Sequence, residues 1–504
     1  MVVDVSDLGS TRVLGGGIVL ALVVAAGVYI AVFGDYNGDS GGLTQKPGRA
    51  GCESVDGTGG FSDAAKAGEC AVARAVGLPT ALVLSPDGRN AYVAAHREAV
   101  AILDRDPRSG VLTAKRGRAG CHSRDGTAGG ERARRLRQPV ELRGDRACTT
   151  GRALFGVTDV ALSPDGRHVY VGSADGVAVF DRDAAGGALT QKRGEVGCLT
   201  LTGAEHDGRT SRPSCARARG LYEASSVTVS PDGRTVYVTS VDLLVLHRDV
   251  RTGALTPAPG RAGCVAATRE GADGTDCVAD PAIDGATSLE LSPDGRHAYA
   301  ASGADTGGAG AIAILDRDRA TGALTPNPGR AGCDAQSGAC GRARGLRGAA
   351  AVAISADGEN AYAVSFLGCA VAVFDRDPAS GALTQQAGAS GSATRHGDSG
   401  ACANRGQGDR TGFTGGAVTL SPDGRTLFVT ARAGVAMYAR DQRGGALRYA
   451  GCVSDDGEGT CEDVKALNIP IAPAVSPDGR NLYVAAFGGD ALAAFDLPRP
   501  ARGR

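Results

Sequence analysis

Two acidic positions make the strongest case for chemistry in this sequence. Asp159 and Glu290 each stand in a short apolar alternation just ahead of a Ser-Pro-Asp-Gly turn. Two carboxylates held in a desolvated site can divide general acid and general base roles, because burial and neighbours push their proton affinities apart. The plainer reading is a hydrogen-bonded or hydrated wall residue at each position. A basic run, Arg132, Arg134, Arg135 and Arg137 followed by Arg143 and Arg146, could dock an anionic polymer or a phosphorylated ligand. It has no interleaved aromatics and reads first as a solvated loop. Asp35-x-Asn37-x-Asp39 imitates the start of a calcium loop, but Ser40 stands where glycine belongs and Lys46 where glutamate belongs. Acidic turns at Asp125-Gly126, Asp273-Gly274 and Asp456-Gly457 could hold calcium, yet they read as turns, and no cofactor is expected. Phosphate-cradling glycine loops, zinc-protease motifs and nucleophile elbows are absent.

The fourteen cysteines carry chemistry of another kind. Twelve form local pairs: Cys52 with Cys70, Cys121 with Cys148, Cys198 with Cys215, Cys264 with Cys277, Cys333 with Cys340 and Cys452 with Cys461, each opening on a Gly-Cys step. No Cys-x-x-Cys spacing suggests a metal. Even pairing within loops predicts disulfides, and hence an oxidising compartment. Cys369 and Cys402 remain. Ser392 occupies the place of the first loop cysteine in their repeat.

The run from Val13 to Gly34 contains no charged residue. As a helix of about 1.5 Å per residue it spans about 33 Å, enough for a hydrocarbon core of about 30 Å. No small-x-small cleavage site follows it. The expectation is an uncleaved transmembrane signal anchor over 13–34 after a short tail at 1–12, with the body outside the cytoplasm; secretion is the alternative. A rival reading is a β-strand of the body that follows, since Gly27 to Phe33 followed by Gly42-Leu43-Thr44 imitates the segment Gly176 to Thr190.

A repeat must position all of these residues. Seven turn motifs recur, beginning at Ser85, Ser163, Ser230, Ser292, Ser355, Ser421 and Ser476. Proline and Asp-Gly suit a tight reversal, and short apolar alternations flank each copy, so each motif predicts a hairpin. Four residues after the motif glycine comes a ring: Tyr92, Tyr170, Tyr237, Tyr299, Tyr362, Phe428 and Tyr483. One large ring per unit on a constant face is what packing between adjacent sheets requires. A third strand, a polar Asp-Arg-Asp turn and a Gly-Ala-Leu-Thr strand follow. The repeated Asp-Arg-Asp imitates a catalytic carboxylate pair but reads as a turn device, since one active site does not need a copy in several units. Four strands per unit, seven units and a period of about 60 to 70 residues predict an all-β, seven-bladed β-propeller over 40–497, with a tail at 498–504. The last unit has three strands, so the segment at Leu43-Thr44 should close it and remove the open edge. The innermost strands should line a channel through two positions each. Four residues before the motif serine these are Ala81, Asp159, Ser226, Ser288, Ala351, Ala417 and Ala472. Two before it they are Val83, Ala161, Thr228, Glu290, Ala353, Thr419 and Ala474. The cysteine loops should share one face of the ring, where Cys369 and Cys402 could form a seventh disulfide.

The unit SPDGR-x-x-YV followed by V-x-VFDRD-x-x-x-GALT resembles the lactonase-like seven-bladed propellers, the family of 6-phosphogluconolactonase and the muconate cycloisomerases, and the wider YVTN-repeat propellers. The resemblance covers about residues 40 to 497 and implies the fold in every blade. It implies an active site of histidine, glutamate and arginines near the channel mouth. The family's P-H-x-H motif is missing: the corresponding stretches read Leu78-Pro79-Thr80-Ala81 and Gly156-Val157-Thr158-Asp159. No histidine lies on an inner strand. His168 and His297 follow turn motifs, His247 ends a third strand, and His122, His206 and His396 fall in cysteine loops. No catalytic residue is therefore carried over. With a formal net charge of −1, no nucleic-acid partner is expected. The favoured function is a non-catalytic extracytoplasmic scaffold that binds a protein or glycan through its loops. The alternative is a lactonase-like hydrolase acting on a sugar lactone.

Overall fold

Each turn motif caps itself. Gly88, at φ +66°, donates its N–H to the Ser85 carbonyl at 2.8 Å, a left-handed step that glycine makes without steric cost. The Asp87 carboxylate accepts from the Ser85 hydroxyl and the Arg89 amide, while that hydroxyl receives the Asn90 amide. The Ser–Asp bond recurs at Ser163, Ser230, Ser292, Ser355, Ser421 and Ser476. Around the first motif, Pro79–Leu84 pairs with Asn90–Ala95, which pairs with Ala99–Arg105, all antiparallel. The outer strand of this blade 1 is Leu112–Ala114 and Cys121–Ser123.

The computed structural model describes residues 42–58, 68–127, 147–204, 214–303, 310–328, 333–335, 341–365, 370–393, 416–431, 434–455 and 461–498, with two further strands near the N-terminus. The inner strands of blades 2 to 7 are Val157–Leu162, Ser226–Val229, Ala286–Leu291, Ala349–Ile354, Val418–Leu420 and Pro470–Val475. Each lies against the next, and that of blade 7 lies against that of blade 1, so seven sheets close a circle. Closure comes from the N-terminal side, as expected. Thr44–Gln45 and Cys52–Ser54 pair with Ala491–Asp496, the neighbour of the Tyr483 strand Asn481–Ala486. Leu43 is buried against Phe428 and Phe495.

The blades depart from four plain strands. In six of them the outer strand breaks after two or three residues, as at Leu112–Ala114, and resumes at Cys121–Ser123; in blade 6 it runs unbroken over Leu447–Ser454. Beyond it, in six of the blades, lies a two-residue strand parallel to it, such as Thr149–Thr150. The first cysteine of each described bond therefore sits within a strand, and the disulfide ties the outer strand to this added edge. Five of the expected bonds are formed: Cys52–Cys70, Cys121–Cys148, Cys198–Cys215, Cys264–Cys277 and Cys452–Cys461. Two expected bonds fall elsewhere. Cys333 opens the strand Cys333–Ala335, but its expected partner Cys340 lies outside the described residues. Both members of the other pair, Cys369 and Cys402, also lie outside them.

The Asp-Arg-Asp segment is more than a turn. Its arginine is a buried clasp between blades. Arg248 of blade 3 donates from Nε to the Tyr170 hydroxyl at 2.6 Å and from Nη1 to the Gly233 carbonyl at 2.7 Å. Its Nη2 meets Asp165 at 3.1 Å and His168 Nδ1 at 2.7 Å, both in blade 2. Tyr170 then donates to the Gly253 carbonyl of blade 3. Burial alone would raise the Asp165 pKa, but bonds from Ser163, the Arg167 amide and Arg248 hold it down to about 2. The same clasp joins Arg105 to Tyr483, Arg182 to Tyr92, Arg317 to Tyr237, Arg376 to Tyr299 and Arg440 to Tyr362. At the remaining junction, between blades 6 and 7, both partners are apolar: Phe428 replaces tyrosine and Leu497 replaces arginine, packed in one cluster.

Within the apolar N-terminal run, where a membrane helix is expected over 13–34, the described backbone is a hairpin. Gly17–Val24 pairs antiparallel with Gly27–Gly34, apart from the seven blades. Its glycines and β-branched residues are as compatible with strand as with helix. Among the described residues no helix is long and apolar enough to cross a membrane. The rival strand reading places Gly27 to Phe33 in a blade, whereas the structure pairs it with its own neighbour.

Candidate functional site

The channel wall follows the expected alternation. Positions two and four before the motif serine are partly exposed and their neighbours at three before are mostly buried, with Ala353 the buried exception among the lining positions. A bulge near the start of five inner strands, as between Pro79 and Ala81, admits a further position. It carries Thr80, Thr158 and Thr287. Thr287 donates to the Ala350 carbonyl at 2.9 Å, and Thr158 bonds the Ala224 carbonyl, so these hydroxyls lace one inner strand to the next blade. The recurring hydroxyl five residues before the serine is the signal in the sequence.

Asp159 belongs to this lacing. Its Oδ2 accepts the Val227 amide of blade 3 at 2.7 Å and its Oδ1 the Val160 amide at 2.8 Å. Burial raises its pKa, opposed by these two amides and the Ser226 side chain. Glu290 is differently placed. Burial alone lifts its pKa to about 7, and no neighbouring charge or hydrogen bond offsets that shift. On the same strand, two residues earlier, the buried Ser288 hydroxyl oxygen has no hydrogen-bond partner. The two carboxylates sit at different levels of the channel, two blades apart, and no bond joins them. Arg132, Arg134, Arg135 and Arg137 lie outside the described residues, as do Asp35, Asn37, Asp39 and Asp456. The Asp125 and Asp273 carboxylates serve their own turns, accepting from Thr127 and Thr275. Among the described residues no group of three His, Cys, Asp or Glu side chains is placed to hold a metal.

A second set of groups gathers on the disulfide face, around blades 7, 1 and 2. The turn between the second and third strands of blade 1 carries His96, Arg97 and Glu98. Arg97 pairs with Asp490 of blade 7 at 2.9 Å, and Asp490 also accepts the Leu78 amide at 2.6 Å. Burial raises the Asp490 pKa, opposed by Arg97 and the Leu78 amide. Glu98 pairs with Arg124 at 3.3 Å. The Arg124 guanidinium lies 5.0 Å over the ring of Phe155, which is 37% exposed. The exposed His96 faces Phe487 at 6.5 Å between ring centroids. Sequence reasoning passes over His96, which is neither on an inner strand nor in a cysteine loop. Backbone strain marks the same face. All seven non-glycine residues with left-handed φ among the described residues, Ala75, Leu78, Glu98, Ala153, Ala466, Ile469 and Asp490, lie on the disulfide face of these three blades. Glycine occupies matching places elsewhere, as at Gly156, Gly285 and Gly348 for Leu78 and Ile469.

With seven sheets, a closed circle of inner strands and an N-terminal closing strand, the architecture is decided. The chain is a seven-bladed β-propeller. The family model of the WD domain, G-beta repeat, matches this propeller over residues 149–180. No curated protein sequence matches it. Among solved structures, the periplasmic gluconolactonase of Pseudomonas aeruginosa is 17% identical, with a TM-score of 0.47 over 82% of this chain and 95% of that chain. A Bacteroides uniformis protein described as a 6-phosphogluconolactonase is 17% identical, with a TM-score of 0.45 over 81% of this chain and 89% of that chain. Hydrazine synthase of Kuenenia stuttgartiensis is 14% identical, with a TM-score of 0.46 over 87% of this chain and 99% of that chain. The propeller is thus similar to lactonase structures, at the level of the fold.

Proposed function

We propose that this propeller is a non-catalytic binding scaffold, held outside the cytoplasm by its N-terminal apolar run, whose protein or glycan partner docks on the disulfide face of blades 7, 1 and 2. One observation carries the reading: every described non-glycine residue in left-handed backbone falls on that face of those blades. Each such residue costs about 1 to 3 kcal/mol, and such strain gathers where a surface is shaped for use. The exposed Phe155 under Arg124, with His96 beside Phe487, gives this surface aromatic and cationic contacts of the kind that dominate interfaces. Five disulfides tie that face to the blades and support an oxidising location. Capture of partners by the full chain should fall at least tenfold in the Phe155→Ala, Arg124→Ala double variant with the melting curve unchanged. Undiminished capture removes the reading.

A second reading, a lactonase-like hydrolase, has one specific observation behind it. Glu290, with its pKa near 7, is poised to exchange a proton in the neutral range. Turnover of a sugar lactone that disappears in Glu290→Gln, with folding intact, would put this reading in place of the first.

A further inference from the structure

The channel wall is two-sided. At the positions two and four before the motif serine, blades 2 to 4 present Asp159, Ser226, Thr228, Ser288 and Glu290 beside Ala161, while blades 5 to 7 and 1 present alanines and a valine, with Thr419 the one hydroxyl. No lysine, arginine or histidine occupies a lining position, so the polar arc carries negative charge alone. Asp159 is occupied by the amides of Val160 and Val227. Glu290 is partly exposed to the channel and receives no hydrogen bond, and on the same face of the same strand the Ser288 hydroxyl oxygen is buried and unpartnered. A carboxylate partly withdrawn from water without a counter-charge is costly, as is a buried hydroxyl without a partner. One donor-rich cation resolves both.

We propose that the channel binds a small primary organic ammonium ion, its N–H groups meeting the Glu290 carboxylate and the Ser288 hydroxyl oxygen and its hydrocarbon body lying along the alanine arc of blades 5 to 7. An ammonium has three donors and no acceptor, which matches a wall offering acceptors, and charge-assisted bonds of this type are the strong ones. An anion is repelled by the same wall. A divalent cation of the calcium type needs six or more oxygens, and no group of three ligating side chains is present among the described residues. The ligand meets Glu290 in its protonated form below about pH 7. Binding then converts the carboxyl to carboxylate, its proton leaves to solvent, and the ammonium keeps its own three. This site is independent of whatever docks on the disulfide face.

The test uses the full chain and n-butylammonium as probe, with n-butanol as the neutral control, by isothermal titration calorimetry in two buffers of different ionisation heat. Saturable binding of the ammonium and none of the alcohol is expected. At pH 6 it should release close to one proton, and affinity should rise about tenfold from pH 6 to pH 8. Glu290→Gln, which keeps the shape, should lose at least tenfold in affinity and all of the proton release; Ser288→Ala should lose severalfold. Absence of saturation at about 100 mM ammonium, or equal affinity in Glu290→Gln with the same melting temperature, overturns the proposal.

Discussion

Replacing Tyr170 by phenylalanine removes one oxygen and leaves the ring in its place. That oxygen accepts from the Arg248 Nε at 2.6 Å and donates to the Gly253 carbonyl at 2.9 Å, both across the junction between blades 2 and 3. Tyr170 is fully buried and Arg248 is 5% exposed, so water does not replace either bond. A hydrogen bond to a charged group contributes about 1.5 to 3 kcal/mol and a neutral one about 0.5 to 1.5. Tyr170→Phe should therefore cost about 2 to 4 kcal/mol. Arg248→Leu strands Asp165, the His168 ring nitrogen and the Gly233 carbonyl together, and should cost about 3 to 5 kcal/mol. The double variant rebuilds at this junction the pair that Phe428 and Leu497 form between blades 6 and 7. Its cost should fall short of the sum by about 2 kcal/mol, because the apolar pair leaves fewer groups unmatched. Urea unfolding, followed by two probes and compared at equal m-value, gives the three numbers. A Tyr170→Phe change under about 0.5 kcal/mol, or strict additivity in the double variant, refutes the clasp as an energetic link between blades.

The closing strand holds a buried carboxyl, Glu53, 4% exposed, with Oε2 unpartnered. Burial raises its pKa to about 8, opposed by Arg49. The folded state thus keeps a proton that the unfolded chain loses near 4.5, so stability from this group is full below pH 4.5 and declines as pH rises to about 8. Glu53→Gln should flatten that decline in a series of melting curves, and an unchanged slope between about pH 5 and about pH 8 counts against it. Leu43→Ala, which empties a place beside Phe428 and Phe495, should cost about 3 kcal/mol in urea and raise hydrogen exchange first in Ala491–Asp496. A loss confined to another blade contradicts the closure. Removing the Cys121–Cys148 bond, which spans 27 residues, should cost at most about 3 to 4 kcal/mol. Cleavage by a protease between those two positions should accelerate while the ring stays intact, and a collapse of the whole melting transition contradicts a local tie.

The ring was legible because it is written seven times. The Ser-Pro-Asp-Gly turn and the following tyrosine need only local chemistry, and a period fixes the sheet count before any contact is known. Closure was legible for the same reason, since an orphan fourth strand at Leu43-Thr44 matched a last unit short by one. The clasp was hidden because its parts are far apart in sequence: Arg248 meets Tyr170 and Asp165 only when the third strand of one blade is laid on the second strand of the preceding blade. Its signature was nonetheless present as a paired exception, since the one unit with phenylalanine for tyrosine faces the one unit with leucine for arginine. The fifth strands and the grouping of His96, Arg97 and Asp490 had no such signature, because they depend on how non-repeated loops meet at the rim. Function follows that division. Residues that recur in every blade build the wheel, and Asp159, although it does not recur, was drawn into the same structural work by the amides of blade 3. What remains for the proposed recognition are the side chains that occur once: the unpartnered Glu290 in the channel, and the strained, aromatic surface of blades 7, 1 and 2.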